Sequence, residues 1–208
     1  MIYLSVIVPL YNEESLVEEL FGRILSATQQ IDNKSEIIFI DDGSTDQTLP
    51  KLIDIQKDHK HVKIIELSRN FGHQAAYTAG LNHAKGEVVV MLDGDLQDPP
   101  EIIPQLAEKL ETGNFDIVYG QRTARKEGFP RNILISLFHW VFKKLSKVNV
   151  PKNVGNFSAM NKNALKAFLS LPERNRYLPG LRFFIGFKQG FVEYKREGRY
   201  SGKAKMSI

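Results

Sequence analysis

The sequence predicts an α/β fold built on a mostly parallel, doubly wound sheet. Three observations predict it. Apolar, β-branched runs recur through residues 1–120, they alternate with stretches of helical periodicity, and the connections between them are short. Three of the runs end in polar loops, Tyr11-Asn12-Glu13, Asp41-Asp42-Gly43-Ser44 and Asp93-Gly94-Asp95. In an open parallel sheet the carboxyl ends of the strands share one edge, so these loops can converge on one ligand.

Ile2–Pro9 is a run of strand formers closed by proline, and Pro9–Ser15 is the loop after it. Residues 14–30 follow a helical period with Leu16, Leu20, Ile24 and Ala27 on one face, and early glutamates suit the helix start. Residues 36–42 form the second strand. Ser44 or Thr45 in the following turn is expected to cap a helix over 46–58. Residues 62–67 are the third strand, 68–72 its loop, and 73–84 an Ala-rich helix broken at Lys85-Gly86. Residues 87–92 are the fourth strand, 100–112 a helix and 116–119 the fifth strand.

The fourth strand and its loop organise the chain. An apolar run ends in Asp93-Gly94-Asp95-Leu96-Gln97-Asp98, and Pro99-Pro100 stops continuation. Two carboxylates at i and i+2, with a glycine that permits close approach, suit a hard divalent cation that also takes substrate phosphate oxygens. An acidic turn closing a strand is the plain alternative. The common dinucleotide and P-loop glycine signatures are absent.

Length fits one large domain, with residues 1–120 as an acidic half and 121–208 as a basic half of the same unit. Residues 1–120 carry nine Lys and Arg against twenty Asp and Glu, a net of −11; residues 121–208 carry nineteen against four, a net of +15. An acidic half suits a metal, and a basic half suits phosphates or an anionic surface. There is no cysteine, hence no disulfide framework or thiolate metal site, and no run of 18 apolar residues. No signal-peptide pattern opens the chain.

In the basic half, a helix is expected to begin after Pro130 and run to Lys147, with Ile133, Leu137, Trp140, Val141 and Leu145 on one stripe and lysines 143, 144 and 147 at its end. It suits a membrane surface or, equally, a core-facing position. Residues 155–160 read as a short strand or loop, 161–171 as a helix ended by Pro172, and 183–194 as strand-like. Lys195, Arg196, Arg199, Lys203 and Lys205 make a flexible anion-binding segment, or a solvated tail.

Taken in order, Val6-Ile-Val-Pro-Leu-Tyr11-Asn12-Glu13, Asp41-Asp42-Gly-Ser-Thr-Asp46, Ser68-Arg69-Asn70-Phe-Gly-His-Gln74 and Leu92-Asp93-Gly-Asp95-Leu-Gln97-Asp-Pro-Pro-Glu101 resemble the inverting family 2 glycosyltransferases of GT-A fold. The subgroup resembled most makes polyprenyl-phosphate sugars, the dolichyl-phosphate mannose synthase and bactoprenol glucosyltransferase type. Arg196-x-x-Arg199-x-x-Gly202-x-x-Lys205 resembles its basic C-terminal motif, and the likeness covers nearly the whole chain.

The resemblance implies a site. Pro9, Tyr11, Asn12, Glu13, Asp42 and Arg69 would bind the nucleotide, with Asp41 supporting that loop. Asp93, Asp95 and Gln97 would hold Mg2+ or Mn2+ on the donor diphosphate. Arg122, Arg131, Arg196, Arg199 and Lys205 would meet the donor diphosphate or the lipid phosphate. Asp95, Arg122, Arg199 and Lys205 would carry catalysis.

It also implies a nucleotide-sugar donor, UDP-sugar favoured and GDP-mannose possible, a polyprenyl phosphate acceptor, and action at the cytoplasmic face of the membrane. Many relatives continue into transmembrane helices, so the expectation is a longer full-length chain or membrane seating through residues 129–147. The departures are Asn156 and Met206. Asn156 stands where bactoprenol-type relatives often have an aspartate proposed as base, and Met206 replaces the usual aromatic. Without that base the phosphate acts unaided, a carboxylate such as Asp95 or Asp98 assists, or the acceptor is a saccharide. A nucleic-acid-binding module would use the basic half but leaves the carboxylate-ended strands unexplained.

Overall fold

The computed structural model describes residues 2–31, 34–123, 153–173 and 176–198. They form β1 (Leu4–Leu10), α1 (Val17–Gln29), β2 (Ser35–Asp41), α2 (Thr48–Asp58), β3 (Val62–Glu66), α3 (His73–His83) and β4 (Val88–Met91). A 3-10 turn at Pro100–Ile102 leads into α4 (Ile103–Thr112). Then follow β5 (Ile117–Arg122), β6 (Val154–Asn161), α5 (Lys162–Leu169), α6 (Leu178–Phe184) and β7 (Gln189–Tyr194).

The seven described strands make one sheet in the order β3-β2-β1-β4-β6-β5-β7. All pairs are parallel except those of β6, which runs against both β4 and β5. The sheet is therefore mostly parallel, as expected, and β6 brings residues from beyond position 120 into its middle.

Both faces are covered, which is why the central strands read as unbroken apolar runs. Along β1, Val6 and Val8 enter the core layer shared with α1 and α4. Ile7 points into the opposite layer, beside Tyr77 and Leu81 of α3 and Phe168 of α5. The expected stripe of Leu16, Leu20, Ile24 and Ala27 is buried.

Three local expectations are corrected and one alternative is settled. Asp46, rather than Ser44 or Thr45, meets the start of α2, accepting from the Thr48 amide at 2.9 Å, because the Ser44 hydroxyl is engaged by the Asn12 amide at 3.0 Å. The fifth strand runs on to Arg122, held by β6 and β7 on its two sides. Residues 155–160, read as a short strand or loop, take the strand form, over Val154–Asn161. Residues 183–184 end α6 instead of starting β7, since Leu178–Phe184 buries Leu178 and Arg182 against the sheet. The amphipathic helix expected over 130–147, and Arg131, Arg199, Lys205 and Met206, lie outside the described residues.

The register positions the site. Pairing of β1 with β4 stops at Ile7–Met91, while β1 and β2 stay paired to Leu10–Asp41. Ile7 directs its carbonyl at β4, bonding the Leu92 amide at 3.0 Å, and Pro9, two residues on, has no N–H to extend that ladder. The β1–β4 ladder thus ends where the chain switches direction across the sheet, the place at which ligands characteristically bind in open α/β sheets.

Candidate active site

Six described segments meet at this edge: the loops after β1, β2 and β4, the start of β6, and the chain leaving β5 and that leaving β7. The first two are stapled together. Asn12, at φ +52°, accepts from the Thr45 amide at 2.8 Å, and the Glu13 amide donates to the Thr48 hydroxyl at 2.8 Å.

Asp41 and Asp42 are both buried. Asp42 was expected to line the pocket, and both its oxygens are engaged by the β3 loop, accepting from the Phe71 amide at 2.8 Å and the Gly72 amide at 2.9 Å. Asp41 Oδ2 accepts from the Ser44 amide at 3.1 Å, and its buried Oδ1 has no hydrogen-bond partner among the described residues. Arg69 lies over the exposed Phe71 ring at 4.2 Å and donates to the Asn70 carbonyl, so its described contacts are local.

The loop after β4 packs tightly on β1. A Cβ on Gly94 would lie 2.3 Å from Leu10 Cδ2 and 2.9 Å from the Pro9 carbonyl oxygen. The close approach that glycine permits is thus that of the β1 end. Leu96 buries its side chain at φ +56°, a left-handed conformation that costs a non-glycine residue about 1–2 kcal/mol. The turn this makes lets the Gln97 amide donate to Asp95 Oδ1 at 3.1 Å.

Asp93 and Asp95 lie in unlike environments. Asp93 Oδ1 receives Tyr77 Oη at 2.7 Å, His73 Nε2 at 3.3 Å and Asn156 Nδ2 at 3.4 Å. Burial works to raise its pKa, but the His73 and Tyr77 bonds prevail and hold it at about 2. Asp95 has the opposite balance. Burial, with the charges of Asp93 and Asp98, raises its pKa above the ordinary aspartate value. A cation beside it would relieve that.

Among the described residues no cluster of three or more His, Asp or Glu side chains forms a complete cage. Two carboxylates with the remaining positions left to water and phosphate oxygens is a common Mg2+ arrangement, so these residues fit the cation.

Opposite the acidic pair stand two of the expected cations. Arg122 Nη2 lies 3.1 Å from Asp98 Oδ2. Arg196 Nη2 lies 4.0 Å from Asp95 Oδ2, and its Nε lies 3.4 Å from Asp98 Oδ1 without hydrogen-bond alignment. Asp98, left open above as an assisting carboxylate, is fully buried and bonded by Tyr194 and Arg122, so it has no access to an acceptor.

Sequence reasoning missed Tyr77, His73, Tyr194 and Arg182. His73 and Tyr77 are four apart on α3, and that spacing just after a strand-end loop was the one signal available. Arg182 is fully buried, and burial pushes its pKa down. It donates to the Gly155 and Asn156 carbonyls, each at 2.7 Å, and to the Ser158 hydroxyl, fixing the start of β6 that presents Asn156 to Asp93.

The fold is that of α/β proteins with a mostly parallel sheet, one antiparallel strand within it, and polar loops gathered at the carboxyl ends of the parallel strands. Solved structures of the same fold include a mannosyltransferase from Pyrobaculum calidifontis in complex with GDP-Man and Mn2+, 21% identical over 91% of this chain and 54% of that one (TM-score 0.66). They also include glucosyl-3-phosphoglycerate synthase from Mycobacterium tuberculosis with Mn2+, UDP and glucosyl-3-phosphoglycerate, 20% identical over 97% of this chain and 73% of that one (TM-score 0.67).

Residues 5–169 match glycosyl transferase family 2, and the chain belongs to that family. An uncharacterized glycosyltransferase of Synechocystis sp. is 40% identical over 99% of this chain and 65% of its own length. The bactoprenol glucosyl transferase of Shigella phage SfV is 33% identical over 98% of this chain and 66% of its own length. The chain therefore spans about two thirds of these relatives.

Proposed function

We propose that the chain is the catalytic part of a metal-dependent inverting glycosyltransferase that moves a sugar from a nucleotide-diphosphate sugar, a UDP-sugar in the favoured case, to a polyprenyl phosphate at the cytoplasmic face of the membrane. The observation that carries it is the acidic pair Asp93 and Asp95 at the β1/β4 switch point, with Arg196 beside Asp95 and Arg122 reaching the same loop through Asp98. Likeness to the phage bactoprenol glucosyl transferase supports the acceptor class.

In this reading residues 1–120 bind the donor. Pro9, Tyr11, Asn12 and Glu13 border the base and ribose, and Asp41 Oδ1 is a buried acceptor without a donor among the described residues. Asp93, Asp95 and Gln97 hold Mg2+ or Mn2+, which neutralises charge on the leaving diphosphate. Arg122 and Arg196 supply further positive charge to that group. Residues 121–208 receive the acceptor, with Arg131, Arg199 and Lys205 as further phosphate contacts, and seat the protein on the membrane. Among the described residues no helix is long and apolar enough to cross a membrane.

A lipid phosphate is already anionic, so it needs placement more than deprotonation. Asn156 cannot accept a proton, Asp98 is sequestered and Asp95 is committed to the cation in this reading, which favours this acceptor over a saccharide hydroxyl. Thermal unfolding with UDP, GDP and their sugars, each with and without Mn2+, tests the donor half by mass action. A Mn2+-dependent rise with one nucleotide names the base; no rise with any of them, in buffer and with lipid present, removes the proposal. Transfer to polyprenyl phosphate against transfer to free saccharide then separates the acceptors.

A further inference from the structure

The carboxylate of Asp98 joins three elements that meet nowhere else in sequence. Its Oδ1 accepts from Tyr194 Oη at the end of β7, and its Oδ2 accepts from Arg122 Nη2 at the end of β5. Arg122 Nε in turn donates to Tyr194 Oη at 3.2 Å, closing a ring of three side chains. Arg196 stands between Asp98 and Asp95. Gly155 boxes Arg122 from the remaining side, since a Cβ there would lie 2.8 Å from Nη2.

The chain that carries Arg196 is tied to the same loop: the Glu197 amide donates to the Gln97 carbonyl at 2.9 Å, and Arg23 bridges Glu101 and Glu197.

A buried ion pair is weak evidence for stability, because apolar residues of the same volume often do as well. This cluster has two guanidiniums and one carboxylate. It therefore leaves one net positive charge beside the cation loop, at fixed geometry, and spends one negative charge to fix it. We propose that Asp98 is a positioning residue that holds Arg122 and Arg196 in place for an anionic diphosphate, trading strength of anion binding for alignment. The inference deepens the function proposed above and rests on it for the identity of the diphosphate.

The test compares wild type with Asp98→Asn and Tyr194→Phe in three readouts: melting temperature, calorimetric binding of inorganic pyrophosphate with Mn2+, and release of nucleoside diphosphate from a nucleotide sugar per folded molecule. Asp98→Asn is expected to tighten pyrophosphate at least threefold, as the local charge rises, and to lower turnover at least tenfold, as alignment is lost. Tyr194→Phe, which keeps the carboxylate, is expected to leave pyrophosphate binding within twofold and to lower turnover twofold to fivefold.

A purely structural Asp98 would lower the melting temperature with turnover per folded molecule unchanged, or lower binding and turnover together; either result overturns the proposal. If Asp98→Asn does not fold, unchanged turnover in Tyr194→Phe overturns it. If the wild type turns over no nucleotide sugar, the donor reading has failed, and pyrophosphate binding to Asp98→Asn decides the role of Asp98 by itself.

Discussion

Tyr77 Oη donates a 2.7 Å hydrogen bond to Asp93 Oδ1, joining the middle of α3 to the loop after β4. The phenol is fully buried, and burial with the Asp93 charge raises its pKa well above the ordinary value, so it stays a donor throughout the working range. Tyr77→Phe keeps the ring and removes the donor. A hydrogen bond to a charged group contributes about 1.5–3 kcal/mol. Urea unfolding at neutral pH is expected to show a loss of that size, with a changed Mn2+ affinity. An unchanged midpoint would show that the bond does not anchor the loop.

The depressed pKa of Asp93 has a pH consequence. Its folded value of about 2 lies below the unfolded value of 3.8. Its contribution is therefore complete above about pH 4 and is lost as pH falls toward 2, on the order of 2 kcal/mol. Asp93→Asn is expected to flatten the stability profile in that window, measured by denaturant midpoints from pH 5 to pH 2.

Asp95 has the opposite sign. A carboxyl whose folded pKa is raised binds its proton more tightly in the folded state, so stability falls as pH rises from the unfolded value through the folded one. Metal-free Asp95→Asn is therefore expected to melt above the wild type at pH 7, with the gain vanishing in acid. Mn2+ should raise the wild-type melting point and leave the variant unmoved. A variant less stable than wild type without metal would refute the electrostatic reading of this site.

At the opposite edge of the sheet, buried Glu36 accepts from Ser5 Oγ at 2.6 Å, from the Lys85 amide at 2.8 Å and from Lys63 Nζ. Burial works to raise its pKa, and these donors outweigh it and hold the pKa below the ordinary value. Its stabilisation is present above the unfolded pKa and is lost as pH falls through the lowered folded one. Glu36→Gln is expected to cost about 1–3 kcal/mol and to leave turnover per folded molecule unchanged, since its partners Ser5, Lys63 and Lys85 are not residues of the site. Chemical unfolding alongside an activity assay checks both halves.

Gly43 sits at φ +71°, and a Cβ there would meet the Arg69 backbone carbonyl carbon at 2.4 Å and the Asn70 nitrogen at 2.7 Å. Backbone on both sides cannot yield as a flexible side chain would. Gly43→Ala is expected to cost about 1–3 kcal/mol and to weaken nucleotide binding by pushing the β3 loop off the β2 loop. Nucleotide titration by calorimetry would show it.

The sequence by itself determined the alternation of strands and helices, the edge at which the polar loops meet, and the acidic pair Asp93 and Asp95. Those features rest on periodicity, turn chemistry and strand termination, which act within a few residues of the chain. The tertiary structure decided partnership. β6 enters between β4 and β5 and runs against both, a choice made by which apolar edge was left to pair. Asp98 belongs to Arg122 and Tyr194, residues 24 and 96 positions away, and Asp93 belongs to Tyr77 and Asn156, which share no local pattern with it. Distant donors, His73 first among them, hold the pKa of Asp93 down against burial, while burial and the charges of Asp93 and Asp98 push that of Asp95, two residues on, up. A carboxylate's chemistry is set by burial and by what donates to it, and only the folded chain brings those donors within reach.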